Sequence, residues 1–176
     1  LSAIYTPYHY PATDNQFKGR NVVIIVTESI SAENSAYLCP EIYKDEQQKG
    51  YTPFLDSLMQ NGYAFRRMYA NGKRSIQALP SVWGSIPSLA TPFVLMPQSL
   101  GESRPLPMLL KERGYSTAFF CGSERGSMGF DAYAISAGFD RCLSKEDYEK
   151  AHGYNDFDGY WGIWDGKFID YMGEEL

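Results

Sequence analysis

The sequence predicts an α/β fold, a three-layer α/β/α sandwich built around a mostly parallel sheet. A continuous β-branched run at residues 21–28 shows no polar alternation, which is typical of a strand covered on both faces. Strand-like and helix-like segments then alternate along the chain with short glycine-containing joints, as in βαβ units. The 176 residues, 44% hydrophobic and 21% charged, are enough to form one domain with a core.

The elements follow from local signals. Residues 1–20 are rich in Tyr, Pro and polar groups without any period, and predict an irregular lead-in to a domain over 21–176. Thr52 and Pro53 are typical of a helix start, and Gly62 of a helix end. The remaining predicted elements are, in order, a strand at 63–69, a helix at 105–113, a strand at 116–122 and a final amphipathic helix after residue 161.

Charge and hydropathy exclude two classes of protein. With 16 Lys and Arg against 21 Asp and Glu, the net charge is −5, which argues against a protein that coats nucleic acid or anionic lipid. The longest aliphatic run, residues 22–26, is far shorter than the ~20 residues that a membrane-spanning helix needs. We therefore expect no nucleic-acid partner, and this segment requires no membrane contact. Because the first residue is Leu1 rather than Met, we also expect the chain to be part of a longer protein.

Glu28 stands where the first predicted strand ends. A carboxylate at such a place is costly unless it is paired, protonated or bound to a cation. One interpretation is an N-cap or first-turn acid of a helix that starts near Ser29 or Ser31. The other is a metal-binding or catalytic role, since parallel sheets place ligands at the carboxyl ends of their strands.

A second candidate site is the turn at residues 72–75. Gly72 is followed by the cations Lys73 and Arg74 and by Ser75 at a predicted helix start. Free backbone N–H groups, the helix dipole and the two cations would suit a phosphate or sulfate. Ser75 is then either an N-cap or a nucleophile, and the spacing of a P-loop is missing.

These segments carry a resemblance to a known family. Taken in chain order, these segments resemble the opening half of the catalytic domain of the alkaline phosphatase and sulfatase superfamily. Within that superfamily, they resemble the lipoteichoic acid synthase and phosphoglycerol transferase branch. The matching segments are residues 21–29, 51–58, 72–80, 122–131 and 161–165. The resemblance implies an alkaline phosphatase-like sheet that this chain leaves incomplete.

The resemblance also implies site residues. Glu28 would be a ligand of a divalent cation such as Mn²⁺, Mg²⁺ or Zn²⁺, and Ser75 both the nucleophile and a ligand. In the synthase branch that hydroxyl is usually a Thr directly after the Lys, whereas Arg74 intervenes here, although the spacing to Pro80 fits the related phosphoethanolamine transferases. Lys73 and Arg74 would stabilise negative charge on the substrate.

Three residues further along resemble positions that hold the substrate head group. Asp156 and Trp161 match residues that bind phosphoglycerol, and His152 corresponds to a substrate-binding His with a shifted spacing. From the residues alone, other interpretations stand beside these. His152 could be a solvated loop residue, Asp156 a helix-start acid, and at least one of Trp161 and Trp164 part of the core.

The predicted function is therefore a metal-dependent phosphotransferase or hydrolase that uses a hydroxyl nucleophile on a phosphorylated or sulfated small molecule, lipid or glycan. By resemblance, the parent protein would be membrane-anchored and act on the extracytoplasmic side of a bacterial cell membrane. Alternatives are a sulfatase, a non-catalytic anion- or glycan-binding module, and an unrelated flavodoxin-like or nucleotide-binding domain. The last is disfavoured by the missing glycine-rich patterns.

The sequence supplies only part of a metal site. A divalent cation needs several ligands, and Glu28 and Ser75 are two. In the superfamily an Asp-His pair supplies others, whereas neither His9 nor His152 follows an Asp here. We therefore expect that this chain alone binds metal weakly and turns over little substrate.

Overall fold

The computed structural model describes residues 18–44, 50–88, 90–101 and 103–176. The predicted lead-in at 1–20 lies largely outside these residues. The described part contains six α-helices: Pro53–Asn61 (α1), Ser75–Gly84 (α2), Leu106–Lys111 (α3), Phe130–Ser136 (α4), Lys145–His152 (α5) and Asp165–Glu175 (α6). It also contains two strands, Ala118–Phe120 (β1) and Arg141–Leu143 (β2). None of these described helices combines the length and the apolar character required to cross a membrane.

The two strands form a small parallel sheet. Ala118 pairs with Arg141 and Phe120 with Leu143, and α4 lies between the strands in the chain. This is the βαβ unit that the alternation of segments predicts, and the predicted strand at 116–122 is confirmed as β1.

Helices cover both faces of this sheet. Phe119 and Cys121 pack on a core cluster formed by α2, α4 and the residue that follows α4. Ala118 and Phe120 point the other way, onto a cluster formed by β2, α5, α6 and the loop between these helices. The alternation along β1 thus reflects the two-residue period of a strand. The buried members are Ile76, Leu79, Trp83, Phe130, Tyr133 and Ala137 in the first cluster, and Leu143, Tyr148, Ile163, Phe168 and Tyr171 in the second.

Two predicted strands are wrong. Residues 21–28 and 63–69 form no strand, and the side chains at 22–26 are between 47% and 67% exposed. A β-branched run forms a buried strand only when neighbouring strands complete its hydrogen bonds and other elements cover its faces. Within the described residues, no strand pairs with either segment.

The helices predicted from their end signals are confirmed. The segments at 52–62, 105–113 and after 161 contain α1, α3 and α6. However, Phe54 and Leu58 on α1 are 73% and 53% exposed, and the buried residue of this helix is Asp56. The local signals therefore predict where helices form, but not which of their faces are covered.

Candidate active site

Glu28 and Ser75, 47 residues apart in the sequence, are in direct contact. The Ser75 hydroxyl donates a hydrogen bond to Glu28 Oε2. The other carboxylate oxygen, Oε1, accepts a hydrogen bond from the Ser29 hydroxyl at 3.2 Å. The structure thus joins the end of the first apolar run to the start of α2, the two places that the sequence singles out.

Ser75 is the first residue of α2 and does not cap it. Arg74 occupies the N-cap position, and the Ser75 hydroxyl is directed at Glu28 instead. The interpretation of Ser75 as a plain N-cap is therefore wrong. Ile76, Leu79 and Trp83 anchor the same helix in the core, so a packed element fixes the position of Ser75.

Glu28 is likewise not part of a helix start. A short 3₁₀ helix, Ala32–Asn34, follows it, with Ser31 at the N-cap and Glu33 as the acid of the first turn. Glu28 precedes this turn and is exposed. The interpretation of Glu28 as a helix-start acid is therefore wrong, and its contact with Ser75 is the interaction that has to be explained.

Asp56 on α1 anchors the segment that follows Glu28. Burial by itself raises the pKa of this carboxyl, but the hydrogen bonds that it accepts outweigh burial and hold the pKa below its usual value. It therefore acts as an ionised anchor rather than as a free acid. Its four donors are Ser35 Oγ at 2.6 Å, Ala36 N at 3.0 Å, Tyr37 N at 3.3 Å and Thr52 Oγ1 at 3.2 Å.

The turn before Ser75 is closed by Gln77. Its side-chain oxygen Oε1 accepts hydrogen bonds from Lys73 N at 3.0 Å and Arg74 N at 3.2 Å. The sequence predicts free backbone N–H groups for an anion at this turn, and the N–H groups of Lys73 and Arg74 are not free. The side chains of Lys73 and Arg74 are exposed, so the cationic groups remain accessible beside Ser75.

His152 and Asp156 belong to a different cluster. Both contact Tyr148 on α5: the Tyr148 hydroxyl donates to Asp156 Oδ2 at 2.7 Å, and the His152 ring stacks on the Tyr148 ring at 4.9 Å. The hydrogen bond to Asp156, together with burial, raises the pKa of Tyr148 to about 12. His152 Nε2 also lies 2.9 Å from Glu174 on α6. Among the described residues, this cluster joins α5 to α6 and does not include Glu28 or Ser75.

Trp161 lies on a loop that Asp158 holds in shape. Asp158 Oδ1 accepts the backbone N–H groups of Tyr160, Trp161 and Gly162 at 2.7–3.1 Å. These hydrogen bonds hold the pKa of the carboxyl below its usual value. A bridge between Ser123 and Gly162 ties the loop to the chain just after β1. Trp161 is 47% exposed and Trp164 60%, so the interpretation that one of them is core is wrong.

The pair of Glu28 and Ser75 fits part of a divalent cation site. A carboxylate and a hydroxyl in contact are hard oxygen donors of the kind that Mg²⁺ or Mn²⁺ prefers. Within the described residues, however, no group of three or more His, Cys, Asp or Glu side chains is arranged to hold a metal. The donors present therefore fit such an ion but do not complete its ligand set.

The family model described as Sulfatase matches residues 20–176, a span that includes both Glu28 and Ser75. The chain belongs to the sulfatase family. A solved structure supports the same assignment: a protein in the alkaline phosphatase superfamily from Vibrio parahaemolyticus is 29% identical, with a TM-score of 0.69. The match covers 84% of this chain and 33% of the Vibrio chain, so our sulfatase-family chain spans about a third of that protein. The alkaline phosphatase-like α/β fold that the sequence predicts is confirmed, in an incomplete form.

Two residues that fix the segments next to Glu28 and Ser75 were missed in the sequence. Gln77 stands three residues after the N-cap Arg74, the spacing of a capping box, and that spacing could have identified it. Asp56 offered no comparable signal, because its donors at residues 35–37 lie about twenty positions away.

Proposed function

We propose that the chain carries the nucleophile and the first metal ligand of a metal-dependent enzyme that hydrolyses or transfers phosphate or sulfate esters. Membership in the sulfatase family supports ester hydrolysis or transfer in general terms. The observation that carries the proposal is the hydrogen bond from Ser75 to Glu28, because it brings a hydroxyl and a carboxylate together at the start of a packed helix.

The chemistry follows from this pair. Glu28 accepts the hydrogen bond of the Ser75 hydroxyl and so orients its oxygen. The hydroxyl proton passes to Glu28 Oε2, its hydrogen-bond partner, while Ser75 Oγ forms a bond to phosphorus or sulfur and the bond to the ester oxygen breaks. The leaving alkoxide takes up that proton and departs as the alcohol. Transfer of the group from Ser75 to water or to an alcohol then restores the hydroxyl.

Positive charge near Ser75 assists this reaction. A bound divalent cation would favour the alkoxide form of the hydroxyl. Lys73 and Arg74 directly precede Ser75 and are exposed, so their charges are available for the oxygens of the transferred group. Since Gln77 occupies the backbone N–H groups of both residues, we assign the anion contacts to their side chains.

We propose a phosphoglycerol-type donor as the substrate, in a parent protein that is anchored in a bacterial membrane and acts on its extracytoplasmic side. The resemblance to the phosphoglycerol transferase branch supports this choice. Trp161 supports it further, because an exposed indole on a loop fixed by Asp158 can pack against a head group. Asp156 already accepts the Tyr148 hydroxyl, and His152 lies beside Glu174, so their role would require these contacts to be shared with substrate.

Sulfate esters are the second candidate. The matching family model is described as Sulfatase, and sulfate presents the same tetrahedral arrangement of oxygens to a hydroxyl nucleophile and two cations. Ser75 and Glu28 would have the same roles, and the selectivity would come from the rest of the substrate pocket.

A substrate panel tests the proposal. Turnover of a phosphodiester, a phosphomonoester and a sulfate ester of p-nitrophenol is measured with Mn²⁺, Mg²⁺ or Zn²⁺, for the whole protein and for this chain separately. We expect metal-dependent phosphodiester turnover by the whole protein, little by this chain alone, and a loss of at least about 10³-fold in Ser75→Ala. Ser57→Ala removes an exposed hydroxyl on α1 and serves as the matched control.

The outcomes separate the candidates. A clear preference for the sulfate ester would favour the sulfatase. Binding of phosphate or sulfate without any turnover by the whole protein would favour a non-catalytic anion-binding module and contradict the proposal. Undiminished turnover in Ser75→Ala would also contradict it.

A further inference from the structure

Gly72 and Gln77 are packed against each other in the turn that leads to Ser75. A Cβ placed on Gly72 would lie 2.5 Å from Gln77 Oε1, 2.7 Å from Gln77 Cβ and 2.9 Å from Gln77 Cδ. The first of these atoms is the end of a flexible side chain, but the Cβ of Gln77 is attached directly to the backbone of α2. A side chain at position 72 would therefore displace Gln77 or shift the start of the helix.

The start of α2 depends on Gln77 for a further reason. Its N-cap residue is Arg74, whose guanidinium has no acceptor and cannot bond the first N–H groups as Ser, Asp or Asn would. Gln77 contributes from inside the helix: its N–H donates to Arg74 O at 2.9 Å, while its side-chain oxygen accepts from Lys73 N and Arg74 N. The residue thus ties the turn to the helix through three hydrogen bonds.

We propose that Gln77 is a positioning residue for Ser75, and that Gly72 is required because only glycine lets the Gln77 side chain close over the turn. We call this arrangement of Gly72 and Gln77 the Gln77 clamp. The clamp fixes the backbone on both sides of Arg74, and so fixes where the Ser75 hydroxyl meets Glu28. This inference rests on the proposed function for its effect on turnover, but the clamp itself can be observed without any substrate.

The clamp also determines how an anion can be recognised at this turn. The two backbone N–H groups that a phosphate or sulfate would otherwise reach are bonded to a neutral amide oxygen. A carboxylate at position 77 could accept the same two hydrogen bonds, but it would add a negative charge next to the anion. A neutral acceptor bonds both N–H groups of the turn and leaves the positive charges of the Lys73 and Arg74 side chains available for the substrate.

Three variants of the whole protein test the clamp. Gln77→Met keeps the length of the side chain but removes the acceptor. Gly72→Ala keeps Gln77 but places a methyl group where the Gln77 side chain packs over the turn. Gln77→Glu keeps the acceptor and adds a charge. Gly166→Ala, a substitution in α6 with no atom within 4 Å of the new Cβ, is the matched control for adding a methyl group to a glycine.

The readouts are amide hydrogen exchange at Lys73 and Arg74, Mn²⁺ affinity by calorimetry, and kcat and KM for the phosphodiester. We expect exchange at both amides to be faster in Gln77→Met and Gly72→Ala, with kcat lowered about 10- to 100-fold by the misplaced hydroxyl and KM little changed. Gln77→Glu should restore slow exchange and most of kcat, with a higher KM because of the added charge. Gly166→Ala should match the wild-type protein in every readout.

Each remaining outcome decides the inference. Unchanged exchange at Lys73 and Arg74 in Gln77→Met would overturn the clamp. Faster exchange with unchanged kcat and Mn²⁺ affinity would overturn its role in positioning Ser75, as would a Gln77→Glu variant as impaired as Gln77→Met. If the wild-type protein neither binds Mn²⁺ nor turns over substrate, the proposed function fails, and the exchange rates of the variants alone decide whether the clamp exists.

Discussion

The two parts of the described chain differ in how much apolar surface they bury. Among the residues that the structure describes, all buried hydrophobic ones lie between Ile76 and Tyr171, in the second region (residues 75–176). Among the described residues of the first region (18–44 and 50–74), the buried ones are Ser35 and Asp56, both polar, whereas the aliphatic run at 22–26 is exposed. The second region therefore holds its own fold through packing, and the first is held largely by hydrogen bonds.

The candidate active site lies where these two regions meet. Ser75 begins a helix that is anchored in the core, and Glu28 follows the exposed run. The contact of Glu28 with Ser75 and the hydrogen bond from the Tyr115 hydroxyl to Arg20 O, at 2.7 Å, tie the first region to the second. We conclude that packing of α2 positions the Ser75 hydroxyl, whereas the position of the Glu28 carboxylate depends on a few polar contacts.

The largest expected effect is a loss in the free energy of unfolding, and we expect it for the second region but not for the first. Trp83 on α2 packs edge-on against Phe119 and Phe139, with ring centroids 5.3 and 4.9 Å apart, and Trp83→Ala should lower the free energy of unfolding by about 3–5 kcal/mol. Ile25→Ala, at a site that is 67% exposed, should change it by less than about 0.5 kcal/mol. Urea unfolding of this chain measures both. Similar losses for the two variants would show that the first region is packed as well as the second.

A smaller effect is expected at the polar anchor of the first region. Asp56→Asn replaces a carboxylate that accepts four hydrogen bonds, and should destabilise the segment at 35–37 by about 1–3 kcal/mol. Faster amide exchange at Ala36 and Tyr37, with little change at the amides of α2, would confirm that the effect is local.

The pKa of the Asp56 carboxyl predicts that the stability of this segment depends on pH. Because the pKa of Asp56 is lower in the folded chain than its usual 3.8, the unfolded chain binds the proton more readily. The contribution of Asp56 to stability is therefore complete above about pH 4 and is lost as the pH falls through the lower, folded value. Amide protection at Ala36 and Tyr37 should decrease over that range, and should lose this dependence in Asp56→Asn. Protection that is constant down to pH 2 would contradict the assignment.

The smallest effect is expected at Asp140, the corresponding carboxyl of the second region. The ion pair with Lys111 and the hydrogen bonds from Thr117 hold its pKa below the usual 3.8, so its contribution is likewise lost at acid pH. Because packing already holds β1 beside β2, Asp140→Asn should change the thermal midpoint far less than Trp83→Ala, with Glu112→Gln as an exposed control. A midpoint lowered as much as by Trp83→Ala would contradict the contrast between packing and polar contacts.

Some of the fold could be predicted from the sequence because the signals are local. Thr52, Pro53 and Gly62 mark the ends of α1 whatever surrounds it, and α1 forms. The two segments at 21–28 and 63–69 were wrongly predicted as strands, because a strand requires partners that a local pattern does not reveal. A β-branched run shows only that the segment can be buried, and the described residues do not include a partner strand for it.

The same distinction between local signals and contacts of distant segments applies to the candidate active site. Glu28 and Ser75 could be singled out because each follows a recognisable change in the sequence pattern, and the structure brings them into contact. The packing of Asp156 and His152 around Tyr148 could not be predicted, since it depends on how α5 lies against α6. The role of Asp56 was missed for the same reason, because its donors come from a distant segment.

The most direct test of the central claim is to locate the covalent intermediate. The whole protein is mixed with a phosphodiester and a divalent cation and quenched with acid, and its peptides are examined by mass spectrometry. We predict that the phosphorus group, still carrying its second ester group, is found on Ser75 in the wild-type protein, with no label on the other serines of α2 and its C-cap, Ser81 and Ser85. Ser75→Ala should abolish the label. Label on a different residue, or steady turnover by Ser75→Ala, would contradict the account.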